Sequence, residues 1–312
     1  MMMRTILLFI FVLASLSNSA WAQKKSKSST PEGATLDGAV AEVYKSIGDV
    51  NLHIYRFNPK DHRESDHRSA VVFFFGGGWQ SGDPKQFANQ CVHLANRGMV
   101  AMTVEYRVAS RHQAKVVDCV EDAKSAIRWV RKNATKLGID PNRIAAGGGS
   151  AGGHLAASTG LIKGFERSTE DSSVSSVPNA MILFNPALVL DNVDGEEPVK
   201  KEKLDDLRKR IGDDPKKVSP YHHIVKGAPP TIIFHGRADT TVPFRTANVF
   251  TEAMKKNGNP CELVGYADKG HGFFNYGRDN NVGYQETLLA TDRFLVSIGF
   301  LVAESAEKTP KQ

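Results

Sequence analysis

The sequence predicts a single α/β domain: a mostly parallel sheet of about eight strands with helices on both faces. Three observations predict it. Runs rich in β-branched and aromatic residues alternate with helix-like runs along the chain, and such alternation demands crossover connections that cover both faces of a parallel sheet. The longest helical run, 116–137, places Val116, Val120, Ala123, Ile127, Val130, Ala134 and Leu137 at steps of three and four, which gives one apolar stripe to lie on that sheet. Finally, Gly148-Gly149-Ser150-Ala151-Gly152 sits between the apolar run 144–146 and the helix-like run 155–157, where a strand turns directly into a helix.

Taken in order, strands are expected at 41–45, 50–57 and 69–75, the third running into Gly76-Gly77-Gly78. A helix at 87–96 and a buried strand at 99–105 follow. The long helix is closed by Gly138, with Pro141 just beyond it. A short strand at 143–146 leads into the serine pentapeptide. Downstream come a strand at 180–184, a polar insertion with one helix at 203–211, a strand at 231–234, a helix at 243–256, a strand at 261–266 and a closing helix at 285–298. No internal repeat or domain-sized linker interrupts this series.

The ends read differently. Arg4, the apolar run 6–14 and Ala20-Trp21-Ala22 form a secretory signal with an A-x-A cleavage site, so residues 1–22 are expected to be removed on export to the periplasm or the extracellular space. Residues 23–38 read as a flexible basic leader, 39–301 as the folded domain and 302–312 as a loose tail. No later run approaches about 18 apolar residues, so no integral membrane association is expected. Without Arg4 the formal charge drops from +6 to +5, and three of those charges are Lys24, Lys25 and Lys27 in the leader. Elsewhere acids and bases alternate without a basic stripe or interleaved aromatic rings, which argues against a nucleic-acid partner. Cys91, Cys119 and Cys261 lack metal-binding spacing and read as small apolar residues, with an oxidised pair left open.

The pentapeptide has the form of a nucleophile elbow, in which crowding around the serine requires small neighbours and the following helix aims N–H groups at a developing oxyanion. A serine needs a base and an orienting carboxylate. The strand 231–234 runs into His235-Gly236-Arg237-Ala238-Asp239, and the strand 261–266 into Lys269-Gly270-His271-Gly272. Asp239 is therefore the candidate acid and His271 the candidate base, with Ser150 as nucleophile. Ala151 and either Gly77 or Gly78 are the candidate oxyanion donors. Trp79 and Phe273, which flank these motifs, are expected to meet the substrate. His154 reads as a packed residue bonded locally and His235 as a brace for the acid loop. His222-His223 is a weak metal candidate, since adjacent side chains point apart; no metal or cofactor is expected.

Together with Glu105-Tyr106-Arg107, Ser219-Pro220 and Val242-Pro243, these motifs resemble those of a secreted serine esterase of the α/β-hydrolase superfamily, similar to its hormone-sensitive-lipase-like and feruloyl/acetyl-esterase (BD-FAE-like) branches. The resemblance covers nearly all of the mature chain. It implies the α/β-hydrolase fold, cofactor-free hydrolysis of short-acyl or carbohydrate-borne acetyl and feruloyl esters, and a small-molecule or polysaccharide ester as partner. The alternatives are a serine peptidase related to the prolyl-oligopeptidase family and a non-catalytic binding protein on the same fold. Two positions depart from the pattern. Phe75 replaces the histidine of the H-G-G-G motif, so a brace of the oxyanion loop is expected to be missing. Gly149 replaces the acid common before the serine. No length is available ahead of residue 41 for a helical cap, so an open site is expected.

Overall fold

A hairpin and six parallel strands make up one sheet. Its strands are β1 (Val40–Ile47), β2 (Val50–Phe57), β3 (Arg68–Phe74), β4 (Val100–Val104), β5 (Ile139–Gly149), β6 (Ala180–Phe184), β7 (Thr231–Gly236) and β8 (Cys261–Tyr266), arranged in the order β1-β2-β4-β3-β5-β6-β7-β8. The computed structural model describes residues 36–193, 200–211 and 214–303. The expected export signal and nearly all of the expected leader and tail lie outside the described residues. The described residues belong to the unit Gly33–Gln312.

β1 and β2 pair antiparallel through a two-residue Gly48-Asp49 loop, with Ile47 opposite Val50. β2 also pairs antiparallel with β4, while every pairing from β4 through β8 is parallel. β3, β4 and β6 are almost wholly buried along their length, as strands covered on both faces must be. Alternate residues feed two cores. Val72 and Phe74 face the helices α3 (Val116–Lys132) and α4 (Ala151–Leu161), in a cluster that also holds Phe250 of α6 (Phe244–Lys256). Val71 and Phe73 face α1 (Ala88–Asn96) and α7 (Val282–Ser297).

Three elements differ from the sequence reading. The long helix stops at Lys132 rather than 137: Asn133 leaves the helical conformation at φ −96° and ψ 15°, and its side-chain amide donates to the Trp129 carbonyl at 2.8 Å. Ala134 and Leu137 nevertheless stay buried, which is why they continue the apolar periodicity. β5 extends from Ile139 to Gly149, far beyond the short 143–146 run: its glycines, ordinarily strand breakers, lie where neighbouring groups come too close for a side chain. A one-turn helix, α2 (Ala109–His112), had no periodic signature long enough to read.

One buried ionic cluster ties α3 to the sheet. Asp122, with a fully buried side chain, meets Lys45 Nζ at 2.7 Å and Arg107 Nε at 2.8 Å, and it accepts the Arg107 backbone N–H at 3.0 Å. Removing one member of such a set leaves the others desolvated with incomplete compensation. Asp122→Ala is expected to cost about 3 kcal/mol of stability, seen as a lowered urea midpoint at unchanged m-value; a midpoint equal to that of the parent protein would refute this.

Candidate active site

Ser150 stands where β5 passes into α4, at φ 53° and ψ −116°. A non-glycine residue at positive φ is strained, and here the surroundings impose it. The Ser150 N–H donates to Phe184 O at 2.8 Å, while its carbonyl accepts the His154 N–H at 3.0 Å and the Ala187 N–H at 3.3 Å. The small residues around it are a matter of space. A Cβ on Gly152 would lie 2.0 Å from Phe74 O, and one on Gly149 would lie 2.5 Å from the Phe274 ring. The second contact explains the departure at Gly149: a carboxylate side chain there would collide with Phe274.

Asp239 and His271 come together. His271 Nδ1 lies 2.7 Å from Asp239 Oδ2. That same oxygen accepts the Asn185 Nδ2–H at 2.9 Å, and Oδ1 accepts the backbone N–H groups of Thr241 (2.8 Å) and Val242 (2.9 Å). His235 Nε2 donates to Val242 O at 2.9 Å and lies 3.4 Å from Asp239 Oδ2, so it braces this loop. Burial works to raise the Asp239 pKa. Hydrogen bonds from His235 and His271, the His271 charge and the Val242 N–H outweigh it and hold the carboxyl well below the usual carboxylate range. Asn185 escaped the sequence reading. Fully buried at φ 43° just past β6, it also donates to Gly270 O at 3.4 Å and so links the acid to the histidine loop. Nothing in its local sequence marks it out. Among the described residues, no hydrogen bond joins the Ser150 hydroxyl to His271, and such contacts commonly tighten only with substrate bound.

The glycine loop after β3 lies against the elbow, since a Cβ on Gly76 would come within 2.9 Å of Gly149 O and 3.4 Å of Ser150 Cβ. Gly77 at φ 126° and Gly78 at φ 62° take conformations that side chains resist. Ala151 opens α4, where an N–H has no partner within the helix. The expected loss of a brace at Phe75 is corrected by two other contacts. Tyr106 stacks on the Phe75 ring at 4.2 Å and donates its hydroxyl to Phe75 O at 2.7 Å, and Gln86 Oε1 accepts the Gly76 N–H at 2.6 Å.

A cavity of about 490 Å³ opens onto Ser150, Ala151, Gly78 and Trp79. One wall is apolar, formed by Ala187, Val189, Leu190, Val242 and Pro243. The insertion helix α5 (Lys201–Ile211) supplies a further wall, sinking Leu204 and Ile211 inward and presenting Lys203, Asp206, Leu207 and Arg210 to the cavity. Lys203 Nζ holds it to the acid loop through the carbonyls of Thr240 and Thr241, the latter at 3.1 Å. The expectation for Phe273 is corrected. It does not line this cavity but is buried against Tyr266 and Phe274, with ring centroids 4.7 and 6.3 Å away. Trp79 does line it.

The remaining candidates resolve as packing. His154 is completely buried and has distant partners as well as a local one: the Trp79 indole N–H donates to Nδ1 at 3.2 Å, Nε2 donates to Val218 O at 2.6 Å, and Ser158 Oγ, one turn along α4, lies 3.4 Å from Nε2. His222 bonds the Ser219 hydroxyl and His223 the Lys216 carbonyl. Among the described residues no group of three or more His, Cys, Asp or Glu side chains could hold a metal ion, and no helix is long and apolar enough to cross a membrane. The three cysteines are buried and unpaired, and burial pushes their thiol pKa values up.

Comparison with known proteins gives concordant matches. The BD-FAE family profile matches residues 52–254, and that of the dienelactone hydrolase family matches residues 214–295. Esterase 2 of Thermogutta terrifontis, in a structure phosphonylated by sarin, superposes with a TM-score of 0.84 at 55% identity, covering 86% of this chain and 98% of the other. The same esterase has been solved with propionate and with butyrate bound. Esterase LipC of Mycobacterium tuberculosis is 31% identical over 219 residues, 65% of this chain and 52% of LipC. Isoprenylcysteine alpha-carbonyl methylesterase ICME of Arabidopsis thaliana is 30% identical over 227 residues, 65% of this chain and 50% of ICME. The chain thus spans about half the length of the curated relatives it matches.

His154 provides a pH test of this packing. Burial lowers its pKa from 6.5 to about 4, against the opposing pull of the Val218 carbonyl, and protonation would force an N–H against the Trp79 N–H. Between those two values the unfolded chain binds more protons than the folded one, so stability falls as pH falls through that window. The loss attributable to His154 between pH 7 and pH 5 is about 2 kcal/mol. His154→Gln keeps one donor and one acceptor without a titratable group. It is expected to flatten the stability profile over that range in urea titrations; parallel profiles for the two proteins would refute the assignment.

Proposed function

This chain belongs to the BD-FAE family on the α/β-hydrolase fold, and from that premise we propose that it is a serine carboxylesterase working through an acyl-enzyme on Ser150. The observation that carries the reading is the 2.7 Å bond between Asp239 and His271 at the sheet edge where Ser150 is turned outward. An ionised Asp239 accepts the hydrogen bond of the His271 Nδ1–H, which fixes the tautomer and leaves the Nε2 lone pair to receive the Ser150 proton. The carbonyl oxygen of the substrate, negative in the tetrahedral intermediate, lies on the Ala151 N–H and on that of Gly77 or Gly78. His271 then returns the proton to the departing alcohol. Water, activated by the same imidazole, releases the acid.

We further propose that its substrates are short-acyl esters or carbohydrate-borne acetyl and feruloyl esters. The apolar wall supports a small acyl group, and the propionate- and butyrate-bound structures of the Thermogutta terrifontis esterase support the same range. The wall supplied by α5 limits chain length. Export is part of the proposal and rests on Arg4, the apolar run 6–14 and Ala20-Trp21-Ala22. Secreted material is expected to begin at Gln23 on N-terminal sequencing.

The test is kinetic. Ser150→Ala is expected to lower kcat on 4-nitrophenyl butyrate by at least about 10⁴-fold, and Asp239→Asn by roughly 10³- to 10⁴-fold. Rates on an aryl-ester series are expected to peak at short acyl chains, with acetylated xylan and a feruloyl ester assayed beside them. Undiminished turnover by Ser150→Ala would overturn the chemistry, and a rate that climbs steadily with chain length would overturn the substrate class. Cleavage of an X-Pro peptide with no ester turnover would favour a peptidase instead.

A further inference from the structure

Two loops flank Ser150 and must keep a fixed separation during the proposed reaction: the glycine loop after β3 and the loop carrying His271. A chain of side-chain amides joins them. Gly76 N–H donates to Gln86 Oε1 at 2.6 Å, Gln86 Nε2 donates to Asn275 Oδ1 at 2.9 Å, and Asn275 Nδ2 donates to Gly272 O at 2.8 Å. Its polarity is determined by its ends. A backbone N–H can only donate and a carbonyl only accept, so both amides have a single satisfying orientation.

The residues beside these amides make a second contact between the same segments. Phe87, next to Gln86, stacks on Phe274, next to Asn275, with centroids 5.9 Å apart. Phe87 also stacks on Phe73 of β3 at 4.8 Å. Phe274 in turn fills the space that leaves Gly149 without a side chain. Gln86 itself stands in a tight turn, Pro84–Phe87, that Asp83 caps through the Lys85 N–H (2.8 Å) and that the Thr103 hydroxyl ties to β4 through Pro84 O (3.0 Å). Polar and aromatic contacts therefore link one anchored turn to the elbow, the glycine loop and the histidine loop.

We propose that Gln86 and Asn275 are positioning residues: their relay holds the oxyanion donors in register with the base, so that breaking either link loosens both loops. The inference rests on the esterase reading above. Because the relay touches no substrate, its loss should fall on kcat and spare KM. Gln86→Met and Asn275→Leu are each expected to lower kcat on 4-nitrophenyl butyrate about ten- to hundredfold, the scale of small misplacements near reacting groups, with KM within about threefold. The double variant is expected to be no more than about twofold worse than the poorer single, since the second substitution removes a chain already broken. Gln86→Glu keeps the acceptor for Gly76 and loses the donor to Asn275, and is expected to match Asn275→Leu. Asn275→Leu should also speed amide hydrogen exchange in the peptide containing Gly76, a readout that needs no turnover. Single variants within twofold of the parent kcat, multiplicative losses in the double, or unchanged exchange at Gly76 would overturn the relay. An inactive parent protein, or an active Ser150→Ala, would instead overturn the esterase reading.

Discussion

The site depends on a row of backbone hydrogen bonds that continues past the strand ends. Ser150 N–H donates to Phe184 O, Asn185 N–H to Phe234 O and Arg237 N–H to Tyr266 O, at 2.8, 2.8 and 2.9 Å. Each bond joins the residue just beyond one parallel strand to its neighbour: β5 ends level with β6, and β7 ends level with β8 two residues farther on. A parallel sheet buried on both faces has little freedom to slide, because every shift would strand backbone groups where water cannot reach them. Four loops then leave from one edge, and the crevice beyond that edge is where open α/β sheets bind ligands.

On this edge the polar groups are arranged so that charge is stabilised in advance. Asp239 is buried yet ionised, because two backbone N–H groups, the Asn185 amide and His271 surround its oxygens. The cost of desolvating a carboxylate is offset by contacts already in place before substrate arrives. The opposite treatment of His154 follows from the same physics. Its two nitrogens meet one donor and one acceptor, and burial keeps it neutral.

The insertion between β6 and β7 shows how far composition alone can mislead. Its helix is charged along most of its length, and its sequence reads only as part of a polar insertion. In the folded protein Leu204 and Ile211 anchor it, Lys203 reaches two carbonyls of the acid loop, and the charged side becomes a wall of the cavity. Phe273 errs the other way. Its place beside a catalytic motif suggested substrate contact, whereas burial against Tyr266 makes it a support for the loop.

The alternation of elements and the elbow were legible in the sequence because they depend on local chemistry. β-branched runs, a helical apolar stripe and small residues around Ser150 answer to backbone sterics and burial within a few residues of themselves. The pairing of Asp239 with His271 was inferable because each follows a recognisable strand. What only the tertiary structure decided were the partners of single polar groups. Asn185 reaches Asp239 across 54 positions and Gln86 reaches Asn275 across 189. An asparagine or glutamine in a loop carries no periodicity and satisfies turns anywhere, so its role is determined only when folding brings a particular donor and acceptor within hydrogen-bonding distance.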